Sequence, residues 1–251
     1  MSIVNTTTDR PTVVLVHGAF AESASWNGVI APLVAAGFPV VALANPLRGV
    51  AFDGDYLRRV LSDISGNIVL VGHSYGGMVI SNGGTGNDQV KALVYVGAFA
   101  PEPGETAADL SAKFPGSSLG NTLTSVALDG DNDLYIVQEK YHSQFAADSP
   151  EDITRVMAAT QRPITESALN EPSGEPAWKN IPSWFLFGAE DKNIPAESHR
   201  FMAKRAGSRR TVELAGGSHT VGIPEADQVV DLIREAAESI ASTSQTAGAQ
   251  R

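Results

Sequence analysis

The 251-residue chain contains no cysteine. That absence excludes a disulfide framework, a thiolate metal site and a cysteine nucleophile, although it does not by itself select a cellular compartment. Basic residues are scarce as well: 18 lysines and arginines stand against 28 aspartates and glutamates, a formal net charge of −10. Such a balance argues against nucleic acid or an anionic membrane surface as a partner and mildly disfavours polyanionic substrates. No apolar run approaches the roughly 20 residues of a membrane span. Residues 1–10 are polar, with Thr6-Thr7-Thr8, and lack both the basic and the apolar region of a secretory signal. A G-x-G-x-x-G fingerprint, an H-x-x-x-H metal motif and internal repeats are all missing. The expectation is a soluble, cytoplasmic protein without metal or cofactor, acting on a small molecule, its oligomeric state left open.

What is present centres on residues 67–78, Asn-Ile-Val-Leu-Val-Gly-His-Ser-Tyr-Gly-Gly-Met. The apolar run 68–71 reads as a parallel strand buried on both faces, and Gly72 ends it. Gly72-His73-Ser74-Tyr75-Gly76 is then a complete G-x-S-x-G. After a strand and before a helix, this motif describes a sharp turn that lifts one serine hydroxyl clear of the sheet edge. Its glycines answer a steric need, because strand and helix backbones come too close there for a Cβ, while the serine holds a strained φ/ψ.

Similar apolar runs recur at 12–16, 39–43, 92–96 and 183–187, and an alternating one at 211–214 reads as an edge strand. Helical stripes lie between them: 22–36, a helix capped by Asp53, 75–82, 196–206, and a last helix opened by Pro224. Residues 242–251 are small and polar and read as a frayed end. This alternation implies right-handed parallel crossovers and a doubly wound α/β sheet flanked by helices. It breaks at 101–180, where turn clusters separate helical pieces, among them 134–145 and a helix that Ser149 would cap ahead of Pro150. The expected organisation is a core of 1–100 and 181–251 with a helical cap, 101–180, over its strand ends.

A serine hydroxyl needs an imidazole to take its proton, and the imidazole needs a carboxylate to fix its tautomer. Catalytic groups of a doubly wound sheet collect beyond the carboxyl ends of its strands. His17 ends the first strand and shapes a loop; His73 neighbours Ser74 and points elsewhere; His142 lies in the cap and His199 within a helix. His219 follows the last strand in the glycine-flanked loop Gly216-Gly217-Ser218-His219. Asp191 follows the strand 183–187, with adjacent Glu190 as the alternative, and the order Ser74, Asp191, His219 matches the triad order tied to this turn. Asp129, Asp131 and Asp133 read as solvated turn residues. Backbone N–H groups of Ala19 and Tyr75 are the candidate oxyanion donors. Phe20 and Tyr141 are candidates to line a substrate pocket.

With His17-Gly18, Gly72-His73-Ser74-Tyr75-Gly76-Gly77, Asp191 and His219 in this order, the chain resembles the α/β-hydrolase superfamily over almost its whole length. Leu15-Val16-His17-Gly18-Ala19 and the compact cap are similar to the branch of plant methyl esterases and hydroxynitrile lyases. The family's sheet has eight strands; with ten residues ahead of Pro11, the resemblance implies six here. Ser74 stands where dehalogenases and epoxide hydrolases of this fold carry aspartate, which implies an acyl-enzyme. The related lyases carry threonine in the place of Ala19 and lysine after the histidine, where this chain has Thr220. The implied activity is hydrolysis of an ester, thioester or lactone; a slow-turnover ligand receptor and a cofactor-free lyase or peroxidase are the alternatives.

Overall fold

The computed structural model describes residues 10–248, with side chains described as far as Ile240. The polar segment 1–9 and the last three residues of the tail expected to fray lie outside the described residues; 242–248 continue the last helix. In the first part of the chain β1 (Thr12–Val16), α1 (Asn27–Ala35), β2 (Val40–Leu43), α2 (Val50–Ser62), β3 (Ile68–His73), α3 (Gly76–Gly83) and β4 (Val90–Val96) alternate. An insertion then carries α4 (Ala107–Ala112), β5 (Leu123–Leu128), β6 (Asp131–Ile136), α5 (Gln138–Phe145), α6 (Glu151–Thr160), β7 (Ile164–Thr165) and α7 (Glu166–Asn170). Alternation resumes with β8 (Ser183–Gly188), α8 (Ala196–Arg205), β9 (Arg210–Leu214) and α9 (Ala226–Gly248). No described helix is long and apolar enough to cross a membrane.

Six strands pair in the order β2-β1-β3-β4-β8-β9, every pairing parallel. Side-chain alternation divides the core into two layers. Val13, Leu15, Val69, Val71, Val94 and Trp184 pack on one face with residues of α1 and α9. Val14, Val16, Leu70, Leu93, Tyr95 and Phe185 pack on the other with α2, α3 and the insertion. Strand order reverses between β1 and β3, which opens a crevice at their carboxyl ends. Val16 pairs with Gly72 across these strands, so the loop after β1 meets the turn after β3.

The contact there is close. A Cβ on Gly18 would lie 2.5 Å from the Cβ of Ser74, and one on Gly72 would lie 2.8 Å from the carbonyl carbon of Gly76. A Cβ on Gly76 or Gly77 would strike the carbonyl oxygen of Val16 or Phe99. Ser74 takes φ 53°, a left-handed conformation costing about 1–3 kcal/mol for a residue with a Cβ.

The insertion differs from its sequence-based description in its secondary structure. Besides its helices it contains a three-stranded antiparallel sheet, β5-β6-β7. Asp129-Gly130, with Gly130 at φ 84°, supplies the two-residue hairpin turn, and Leu128 pairs with Asp131 across it. The helix expected over 134–145 therefore begins at Gln138, because 134–136 belong to β6. Two expected caps are also displaced. Asp53 lies in the first turn of α2 and reaches back to the N–H groups of Arg48 and Gly49. The hydroxyl of Ser149 is buried without a partner, and α6 starts at Glu151 without a side-chain cap.

His17 follows β1 and His73 ends β3, the two strands that flank the crevice. The Nδ1–H of His17 donates to the Gly18 carbonyl (2.9 Å), while its Nε2 accepts the N–H of Asn45 (3.1 Å). The Nε2–H of His73 donates to the carbonyl of His219 (3.0 Å). Burial is the largest influence on both, pushing His17 down to about 4 and His73 down to about 3 from an ordinary 6.5. In each case the unfolded chain binds a proton that the native state refuses. Their contribution to stability is complete above pH 6.5 and is lost as the pH falls toward 4 and below, by about 1.4 kcal/mol per unit per histidine.

Two outcomes are expected from urea unfolding. Gly76→Ala costs about 3 kcal/mol because the opposing atom is backbone and cannot yield, whereas Gly120→Ala, with open space around it, stays within about 0.5 kcal/mol. His73→Gln keeps an N–H for the His219 carbonyl but cannot titrate, so its stability declines less steeply than wild type between pH 6.5 and 4. An equal slope in both proteins contradicts the assignment.

Candidate active site

Ser74 stands at the end of β3 with its hydroxyl donating to Nε2 of His219 at 2.8 Å. His219 lies in the loop after β9, and its Nδ1–H donates to Oδ2 of Asp191 at 2.8 Å. Asp191 follows β8; its Oδ1 accepts the N–H groups of Asn193 (2.8 Å) and Ile194 (2.9 Å). All three side chains are nearly or fully buried. Because Nδ1 of His219 faces a carboxylate and Nε2 faces a hydroxyl, the neutral ring carries its proton on Nδ1 and offers Nε2 as an acceptor. Burial alone would raise the pKa of Asp191. The charge that His219 can carry and hydrogen bonds from His199 and His219 outweigh it and hold the carboxyl below the usual carboxylate range. Glu190, the alternative acid, is exposed, and its N–H donates to the Gly217 carbonyl.

Two histidines set aside on sequence grounds also meet this group. The ring of His73 lies 5.0 Å from that of His219, centroid to centroid, besides holding its carbonyl. His199, on α8, brings Nε2 to 3.1 Å from Oδ2 of Asp191. Neither contact follows from local pattern, since each depends on how a loop folds back. His142 stays in the insertion, bonded to Thr154.

Ala19 and Tyr75 border the same cavity as Ser74, and among the described residues neither N–H has an acceptor. The Phe20 N–H is engaged by the Arg162 carbonyl (2.9 Å). The phenol of Tyr75 donates to buried Asp53 (3.1 Å), which anchors the first residue after the serine to α2.

The cavity measures about 480 Å³ and runs from Ser74 under the insertion. Phe20, Phe99, Phe114, Leu123, Leu169 and Ile194 supply most of its apolar wall, with hydroxyls from Ser111 and Ser117. Among the described residues, no aspartate, glutamate, lysine or arginine borders it. Phe20 lines this space, but Tyr141 does not, contrary to the sequence-based expectation. Tyr141 is fully buried behind Phe20, and its hydroxyl donates to the Phe20 carbonyl (2.6 Å), so it braces the wall instead of forming it. Asp131 and Asp133, expected in solvent, hold Ser167 and Arg48. Among the described residues, no group of three acidic or histidine side chains is arranged to hold a metal ion.

A model of the alpha/beta hydrolase family matches residues 13–232. An alpha/beta hydrolase, nvfD, of Aspergillus novofumigatus is 24% identical over 250 residues, covering 91% of this chain and 97% of its own. Among solved structures, polyneuridine aldehyde esterase superposes with a TM-score of 0.76 at 18% identity, covering 90% of this chain and 98% of that one. A methylesterase, MES16, from Arabidopsis does so at 0.72 and 18%, with the same coverage. The six-stranded sheet, the turn at Ser74 and the match along most of its length place this chain in the alpha/beta hydrolase family.

Proposed function

We propose that this protein is a serine hydrolase that cleaves a small uncharged carboxylic ester, thioester or lactone through an acyl-enzyme on Ser74. The observation that carries the reading is the unbroken hydrogen-bonded line from Ser74 through His219 to Asp191, open to an apolar cavity on the serine side. In the first step the Ser74 Oγ attacks the carbonyl carbon while its proton passes to Nε2 of His219. Asp191 stabilises the resulting imidazolium. The N–H groups of Ala19 and Tyr75 receive the developing oxyanion, an arrangement in which one donor typically lowers the barrier by about 3–4 kcal/mol. Collapse breaks the bond to the leaving oxygen or sulfur, which takes the proton from His219. Water then repeats the sequence on the acyl-enzyme and restores Ser74. Names of the similar proteins, two esterases and a hydrolase, point the same way.

The walls argue for the substrate class. A cavity of this size suits a small ligand, and a wall without ionised side chains offers a charged acyl group no partner for its desolvated charge.

With a chromogenic short-chain ester, a burst of chromophore equal to the enzyme concentration is expected. Ser74→Ala should lose about 10³-fold or more in kcat/KM, and turnover that survives this substitution removes the mechanism. Across a series of equal chain length, an ester with a terminal carboxylate or ammonium should be cleaved at least about tenfold less efficiently than its neutral counterpart. Equal efficiency contradicts the reading of the cavity.

A further inference from the structure

Asp191 serves two imidazoles. His219 Nδ1 and His199 Nε2 both reach its Oδ2, at 2.8 Å and 3.1 Å, while two backbone N–H groups occupy Oδ1. His199 lies on the second turn of α8, fully buried, its ring stacked on Phe187 with centroids 4.8 Å apart and planes 14° from parallel. Its Nδ1 is buried and has no hydrogen-bond partner. That orphan atom settles the ring's state. A proton on Nδ1 would be a buried donor with nothing to receive it, whereas a bare lone pair there is the milder loss. His199 is therefore neutral, with its proton on Nε2, and it donates to Asp191. Burial, the largest influence on its pKa, lowers it and agrees with that assignment.

A carboxylate has about four lone-pair sites, and here four donors fill them. Charge drawn toward three of these donors is less available to the fourth, so His219 shares its counter-ion with a ring that takes no part in proton transfer. We propose that His199 is a positioning residue which, by donating to the same oxygen of Asp191 as His219, weakens the hold of Asp191 on the protonated form of His219 and so extends the working range of the Ser74 centre toward lower pH. This rests on the hydrolase reading above.

Other groups around His219 leave this role to Asp191. From β3 and β1 come His73 and His17, both held neutral by burial. From the insertion come the uncharged ring of Phe145, 5.0 Å from His219, and Asp148, whose carboxylate is engaged by the N–H and hydroxyl of Ser218. Behind His199, Glu213 on β9 is paired with Arg200 on α8.

The test is the pH profile of kcat/KM on an uncharged ester, whose own ionisation cannot contribute. His199→Phe keeps a ring over Phe187 but removes the donor, and its acid limb should move to higher pH by about half a unit to one unit, whatever the height of its plateau. His199→Gln, whose amide nitrogen is as many bonds from Cβ as Nε2, should return the limb to the wild-type position. An unmoved limb in the Phe variant, or a shift to lower pH, overturns the proposal even if activity or Tm falls. Should the Phe variant fail to fold, nitrogen-15 NMR of the wild-type histidines decides: His199 must show a protonated Nε2 and a bare Nδ1 at neutral pH, and a charged ring or the opposite tautomer overturns the proposal. The NMR readout needs no turnover, so loss of the hydrolase reading through an active Ser74→Ala would be told apart from loss of this one.

Discussion

The close approach of two backbones at the carboxyl ends of β1 and β3 governs most of what surrounds it. The pairing of Val16 with Gly72 places the loop after β1 directly over the turn after β3. Only small residues fit at the crossing, as the near-collisions at Gly18, Gly72, Gly76 and Gly77 demonstrate. The strained φ of Ser74 persists because helix, strand and loop over-determine it. The same crossing leaves two N–H groups, at Ala19 and Tyr75, without acceptors beside the serine, since a loop pressed this tightly against a helix start can pair neither internally. A candidate nucleophile position and a candidate anion site thus come from one steric constraint.

How much of this could be read from the chain follows from where the determinants lie. The six strands are continuous or alternating apolar runs, a local signal, and the order of elements then dictates the crevice through the chirality of parallel crossovers. Ser74 is announced by flanking glycines, and Asp191 and His219 by their places after strands. The insertion is harder to read because its strands give little apolar signal: β5 is Leu-Thr-Ser-Val-Ala-Leu with five of its six residues exposed, and β6 opens with three polar residues, Asp-Asn-Asp, so the Asp129-Gly130 turn is the better signal than hydrophobicity. Tyr141 is an amphipathic ring whose burial or exposure is decided by what stands beyond it. His199 and His73 became visible as members of the site only through loops that fold back over them.

Charge is distributed around the site with economy. The cavity wall carries none, His17 and His73 are held neutral by burial, and Glu213 is paired with Arg200. Against this background the negative charge that His219 touches belongs to Asp191, and it is satisfied by four donors. A buried anion is tolerable only when so satisfied. A carboxylate held by fewer donors would be costlier to bury.

The insertion does more than roof the cavity, because it holds the loops that carry Phe20, Asp191 and His219. The Arg162 carbonyl and the Tyr141 hydroxyl fix Phe20 beside the candidate oxyanion donors. Gln144 donates to the carbonyl of Lys192 and the side chain of Asn193, within the turn that carries Asp191. Phe145 accepts the Thr220 N–H and lays its ring on His219, while Asp148 grips Ser218. These holds come from one short stretch, 141–148, together with Arg162, whereas the cavity wall on the insertion side comes chiefly from 107–123 and Leu169. The shape of the cavity and the supports of Asp191 and His219 are therefore encoded in different parts of the same segment. Changes along the first part can reshape the cavity while Asp191 and His219 keep their supports, a separation that lets one frame carry different pockets.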